Sequence, residues 1–101
     1  MIPHIVFSLA AQEDLYQLQD YIAERSGDTR SELIIDRILK TIEQIAYRPG
    51  IGSVRSIGKL SDDCRVFVEP PWLIIYLPLP DLNGIEVVRV VDSRRDLDRT
   101  L

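Results

Sequence analysis

Ten arginines stand against two lysines in this chain of 101 residues. The guanidinium is the side chain that grips carboxylates and phosphates through two parallel hydrogen bonds. The cations are unevenly placed. Residues 1–47 hold four basic residues (Arg25, Arg30, Arg37 and Lys40) against eight acidic ones, whereas residues 48–101 hold eight of each. The second half, with Arg48, Arg55, Arg65, Arg89, Arg94 and Arg95, is therefore where recognition is to be sought. Arg89 lies within Glu86-Val87-Val88-Arg89-Val90-Val91, directly before Asp92-Ser93-Arg94-Arg95-Asp96-Leu97. A guanidinium among valines must be paired or solvated, because an isolated buried charge is costly. It has two readings: an ion pair with a carboxylate such as Asp92, Asp96 or Glu69, or a contact on an exposed recognition face. Arg65, beside Ser61-Asp62-Asp63, divides in the same way. Arg94, Arg95 and Asp96 read either as a solvated end of the chain or as a contact to a partner.

Other chemistries find less support. Metal-free RNA cleavage needs a base for the 2′-hydroxyl, an acid for the leaving oxygen and cations for the phosphate. Arg65, Arg89 and Lys59 could hold the phosphate, but no histidine, tyrosine, lysine or glutamate follows the last strand. His4 is the only histidine and lies on the first strand, so it reads as a structural or exposed residue. Cys64 is the only cysteine and reads as a small, semi-buried apolar group. One histidine and one cysteine make no zinc site. Gly50, Gly52 and Gly58 follow no strand and precede no Lys-Ser/Thr pair, so they are not a phosphate-cradling loop. No cofactor is expected. Tyr16, Tyr21, Tyr47 and Tyr76 read as core residues, and Trp72 as core or sheet face, with a partner anchor as its alternative.

The net charge of −4 argues against unspecific nucleic-acid binding through a generally basic surface. No apolar run is long enough to cross a bilayer, and the first residues have neither a basic region nor a small-residue cleavage site. A single cysteine fits a reducing compartment. The expectation is one cytoplasmic domain spanning residues 1–101.

Such residues need a scaffold, and hydrophobic periodicity supplies one. Ile2–Phe7 reads as a strand. Ser8 is an N-cap for a helix whose apolar face is Ala11, Leu15, Leu18 and Ile22, with Gly27 as its stop. Glu13 and Asp14 read as complements to its positive end. Thr29-Arg30-Ser31-Glu32 matches a capping box for a second helix, with Ile35, Ile38, Leu39, Ile42, Ile45 and Ala46 as its stripe and Pro49-Gly50 as its end. Pro49–Asp63 reads as an irregular loop. Cys64–Val68, Trp72–Leu77 and Ile85–Val91 read as strands, the last two central because they are apolar on both faces. Asn83-Gly84 signals a two-residue type I′ hairpin turn. The order is β-α-α-β-β-β, an α+β fold with a helical hairpin on one face of an antiparallel-rich sheet.

Several stretches in this order resemble the RelE/ParE toxins of type II toxin–antitoxin modules. They are Tyr47-Arg48-Pro49-Gly50-Ile51-Gly52, Arg65-Val66-Phe67, Trp72-Leu73-Ile74-Ile75-Tyr76 and Val88-Arg89-Val90-Val91, closing with Arg95-Asp96-Leu97. The resemblance runs from about residue 5 to residue 97 and is better to the ParE branch. It implies a growth-inhibiting toxin of a plasmid- or chromosome-stabilising module that acts on DNA gyrase by protein binding, not catalysis, without binding nucleic acid on its own. It also implies a heteromeric complex with a ParD-like antitoxin, of ribbon-helix-helix or similar type. A groove between Leu15, Leu18, Ile22 and Ile35, Ile38, Ile42 is expected to take an amphipathic antitoxin segment. Arg65, Arg89, Arg94 and Arg95 are expected to contact the target. Asp92 and Ser93 stand where relatives often carry histidine or tyrosine, which weakens the alternative of a RelE-like, ribosome-dependent mRNA endoribonuclease. An inactive relative that serves only as antitoxin partner is the other alternative.

Overall fold

In a computed structural model, which describes residues 2–94, the chain runs β1 (His4–Phe7), α1 (Leu9–Ser26), α2 (Asp28–Tyr47), a 3-10 turn (Pro49–Ile51) and β2 (Ser53–Val54). It continues through β3 (Arg65–Glu69), β4 (Trp72–Leu79), a second 3-10 turn (Pro80–Leu82) and β5 (Gly84–Asp92). The sheet order is β1-β5-β4-β3-β2. β1 runs parallel to β5, and the other neighbours are antiparallel. The α+β architecture follows the sequence reading, with one addition: the expected loop contains the two-residue strand β2.

Local signals explain the helices. Ser8 caps α1, its Oγ accepting from the Ala11 N–H at 3.0 Å. Gly27, at φ +90°, closes one helix and opens the next. Its N–H donates to Ala23 O, and its carbonyl accepts from the Ser31 N–H. The expected capping box at Thr29 therefore does not form, since Asp28 is already helical. Ser31 is turned inward instead and donates to Gln19 O at 2.8 Å, riveting the two helices together.

The sheet is buried on both sides. Ile38, Ile42, Ile45 and Ala46 of α2 and Ala11 of α1 pack on Ile74, Tyr76, Ile85, Val87 and Val90. On the other side Val66, Leu73, Ile75 and Val91 are covered by Ile57 and Cys64. The segment between β2 and β3 is thus irregular in backbone yet forms a third layer. This accounts for β4 and β5 being apolar on both faces. Burial pushes the Cys64 thiol up, and Glu86 and Asp63 push it the same way.

Two sequence expectations change. The β4–β5 connection is not a two-residue turn. β4 extends to Leu79, which pairs with Gly84, and only Asn83 takes a left-handed conformation, at φ 52°. Gly84 is needed for a different reason: a Cβ there would run into the His4 carbonyl across the parallel pair. Of the four tyrosines only Tyr76 lies in the core, while Tyr16, Tyr21 and Tyr47 are exposed.

Tyr76 fixes the chain as it leaves α2. Its hydroxyl donates to Pro49 O at 2.7 Å and accepts from the Gly52 N–H at 2.8 Å. Burial holds its phenol above its ordinary value, outweighing the Gly52 bond. Tyr76→Phe should cost about 2 kcal/mol in urea unfolding at pH 7, because both backbone groups lose their partner. A raised folded-state value means that this contribution is complete below pH about 10 and is lost as pH climbs above it. Stability of the wild type should fall above pH about 10, and the phenylalanine variant should lack that share of the slope.

Candidate interaction site around Trp72

β1 ends opposite Val87 while β5 continues to Asp92, so the second half of β5 has no strand on one side. Ser8, the N-cap of α1, and Asp14 within the helix complete that edge. The Ser8 N–H donates to Val87 O at 3.0 Å, and its Oγ donates to Val88 O at 2.7 Å. Asp14 Oδ2 accepts from the Val90 N–H at 2.9 Å. An irregularity here pairs Ile75 with Arg89 and Tyr76 with Val87, leaving Val88 as an extra residue. The alternation shifts as a result. Ile85, Val87 and Val90 face the helices, while Val88 and Val91 face the third layer.

Arg89 sits at this shift and reaches α1. Its Nε meets Asp14 Oδ2 at 2.7 Å and its Nη2 meets Oδ1 at 2.9 Å, a bidentate pair. Its hydrogen bonds to Asp14 hold the guanidinium even more firmly protonated than usual, against the opposing effect of burial. The partner is therefore neither Asp92 nor Glu69, and Asp96 lies outside the described residues. The sequence did contain a signal: Asp14 falls within the apolar series Ala11, Leu15, Leu18, Ile22, and a carboxylate beside that stripe needs a cation. Reading it as a helix-dipole partner missed this.

The other candidate arginines separate. Arg94, exposed at the end of β5, folds back on Asp92, its Nε 2.9 Å from Oδ1, and Asp92 keeps it protonated. Arg65 lies elsewhere on the sheet and donates Nη1 to Gly52 O at 2.7 Å, holding the same turn as Tyr76. It borders an open hollow with Val54, Asp63, Leu77 and Pro78, which Lys59 does not line. Arg95 lies outside the described residues. His4 is exposed on β1. Among the described residues no group of three or more His, Cys, Asp or Glu side chains could hold a metal ion.

The helical residues expected to form an open groove are placed inward. Ile38 and Ile42 are fully buried and Ile22 nearly so. Leu15 and Leu18 are partly buried against the same core, and Ile35 is half-buried. The five-stranded sheet offers enough apolar surface to cover most of this stripe. The apolar side chains that the hairpin leaves outside are Leu9, Tyr16, Tyr21, Leu33, Leu39 and Tyr47.

A cleft of about 340 Å³ opens between α1 and the ends of β4 and β5, lined by Leu18, Tyr21, Trp72 and the Arg89–Asp14 and Arg94–Asp92 pairs. On the other side of Trp72 a hollow of about 190 Å³ is lined by Arg30, Ile34, Arg37 and Glu69. Here Arg37 Nε meets Glu69 Oε1 at 3.2 Å. Arg30 and Arg37, which the sequence reading did not select, thus stand with Trp72 beside two arginines it did select, Arg89 and Arg94.

A sequence profile described as the ParE toxin of type II toxin-antitoxin system, parDE, matches residues 5–97. The chain belongs to the ParE toxin family. Its fold agrees with solved members of that world. A chain of the chromosomal ParDE TA system from P. aeruginosa superposes with a TM-score of 0.70 at 16% identity, over 90% of this chain and 96% of the other. A chain of the intact E. coli RelBE toxin-antitoxin complex gives 0.60 at 14% identity, over 92% and 99%. No curated protein matches the sequence significantly. No helix of this ParE-family toxin, among the described residues, is long and apolar enough to cross a membrane.

The Asp14–Arg89 pair yields a test of this local geometry. Asp14→Ala should destabilise by about 2 kcal/mol and Arg89→Ala by about 1 kcal/mol, since only the first also orphans the Val90 N–H. Urea unfolding of both singles and the double variant should show the two effects to be non-additive by about 1 kcal/mol. Additive effects would mean that the pair does not secure α1 to β5.

Proposed function

We propose that this ParE-family toxin inhibits DNA gyrase by protein binding and is neutralised by a ParD-like antitoxin. One observation carries the choice of binding over catalysis. Arg65 and Arg89, the cations that RNA cleavage would need, occupy separate sites, and each is engaged within the fold, Arg65 by Gly52 O and Arg89 by Asp14. Guanidiniums committed in this way are poorly placed to converge on one phosphate. Asp92, standing where a general acid or base would be sought, is held by Arg94. The ParDE structural neighbour is consistent with the antitoxin partner. Binding of a protein partner needs an accessible surface, and the paired arginines beside Trp72 offer one.

The decisive measurement combines purified protein, gyrase, ATP and supercoiled plasmid. Linear, covalently trapped DNA should accumulate and should disappear when antitoxin is added. Unaffected gyrase, together with codon-specific mRNA cuts on ribosomes, would replace this function with the endoribonuclease. Growth unaffected by expression, with antitoxin binding intact, would leave only the partner role.

A further inference from the structure

All three ion pairs among the described residues, Arg37–Glu69, Arg89–Asp14 and Arg94–Asp92, border the two hollows that meet at Trp72. In each pair the carboxylate is the more buried member. The side chains of Asp14, Asp92 and Glu69 are 13%, 19% and 21% exposed, against 22%, 75% and 78% for Arg89, Arg94 and Arg37. The carboxylates therefore lie beneath and the guanidiniums above them. Counting Arg30, four arginines against three carboxylates line these hollows, on a chain whose net charge is −4. What reaches a partner first is a ring of cationic N–H donors around an aromatic centre.

We propose that this ring is the anchor for an acidic segment of the antitoxin, one that sets an apolar side chain into the cleft between Trp72 and Tyr21 and carboxylates on Arg30, Arg37 and Arg94. The proposal rests on the reading of the chain as one neutralised by an antitoxin. Three physical features support the assignment. Tryptophan, tyrosine and arginine are the residue types that dominate binding energy at protein interfaces. The half-buried carboxylates already fix the guanidiniums of Arg37, Arg89 and Arg94, so binding gives up less side-chain freedom. Four arginines against three carboxylates leave N–H donors and a positive excess that the carboxylates of an acidic segment would satisfy, while the net charge of −4 disfavours a nucleic-acid backbone.

Trp72 is the only tryptophan, so its fluorescence reports on this site directly. The probe is the cognate ParD-like antitoxin, with any tryptophan replaced by phenylalanine, titrated onto the full toxin. Wild-type emission should shift to the blue on binding, with affinity falling as salt rises. Arg30→Glu/Arg37→Glu and Arg94→Glu change exposed side chains. They should bind about 30-fold more weakly, while Arg55→Glu, outside the ring, should bind as wild type does. Circular dichroism identifies any variant that fails to fold, and for such a variant the corresponding Arg→Gln change is read instead. Wild-type binding with no emission change and equal affinity of all variants would overturn this site while leaving the antitoxin reading intact. Equal antitoxin affinity with lost gyrase inhibition would assign the ring to the target and overturn the proposal. A wild type that binds no antitoxin would remove both.

Discussion

The structure depends on how it closes the bare edge of β5. Nine residues of β5 face only four of β1, and backbone groups left unpaired beside a core carry a large penalty. No further strand fills the gap. Ser8 and Asp14, at the start of α1, take the Val87 and Val88 carbonyls and the Val90 N–H in its place. The helix is thereby sewn to the strand at two points, and Ser31 then fixes α2 to α1. Arg89 neutralises the carboxylate that does the sewing. From this one repair follow the orientation of the hairpin and the cleft beside it, at whose edge Trp72 lies half-buried.

How far the sequence could be read follows from the range of the interactions involved. The helices were legible because periodicity, the Ser8 cap and Gly27 act within a few residues. The central place of β4 and β5 was legible because a strand apolar on both faces has few alternatives. The capping box was misread because Ser31 has a stronger partner twelve residues back, in another helix. The hairpin turn was misread because Gly84 answers to His4, not to the turn. The same holds for the candidate site. Arg89 and Arg94 could be picked out as cations next to a strand, but Asp14 is 75 residues away from Arg89 in sequence. Trp72 was legible as core or sheet face, and it does pack half-buried against the core, but the clefts on either side of it depend on α1 and α2, which are distant in sequence.

The arginines themselves illustrate the point that a residue type does not fix a role. Arg65 holds a turn by its carbonyls, Arg89 joins a helix to a strand, and Arg94 and Arg37 lie over half-buried acids. The first is spent on architecture. The others serve architecture and leave part of the guanidinium facing outward, so the cost of ordering them falls on folding and not on any later encounter. A surface that is locally near neutral can then still be selective, because it is the geometry of the donors and not the sum of charge that a partner meets.

The sharing of Gly27 between two helices constrains how this chain can vary. The connection contains no spare residue, and each residue of an α-helix turns it by about 100°. A single insertion or deletion there would rotate α2 about its axis and carry Ile38, Ile42 and Ile45 away from the sheet. Length changes are therefore confined to the other side of the molecule, where residues 55–63 cover Ile75 and Val91 without a repeating backbone pattern to preserve. The hairpin is held to a fixed length by its geometry, and the third layer is where added or lost residues would disturb the packing least.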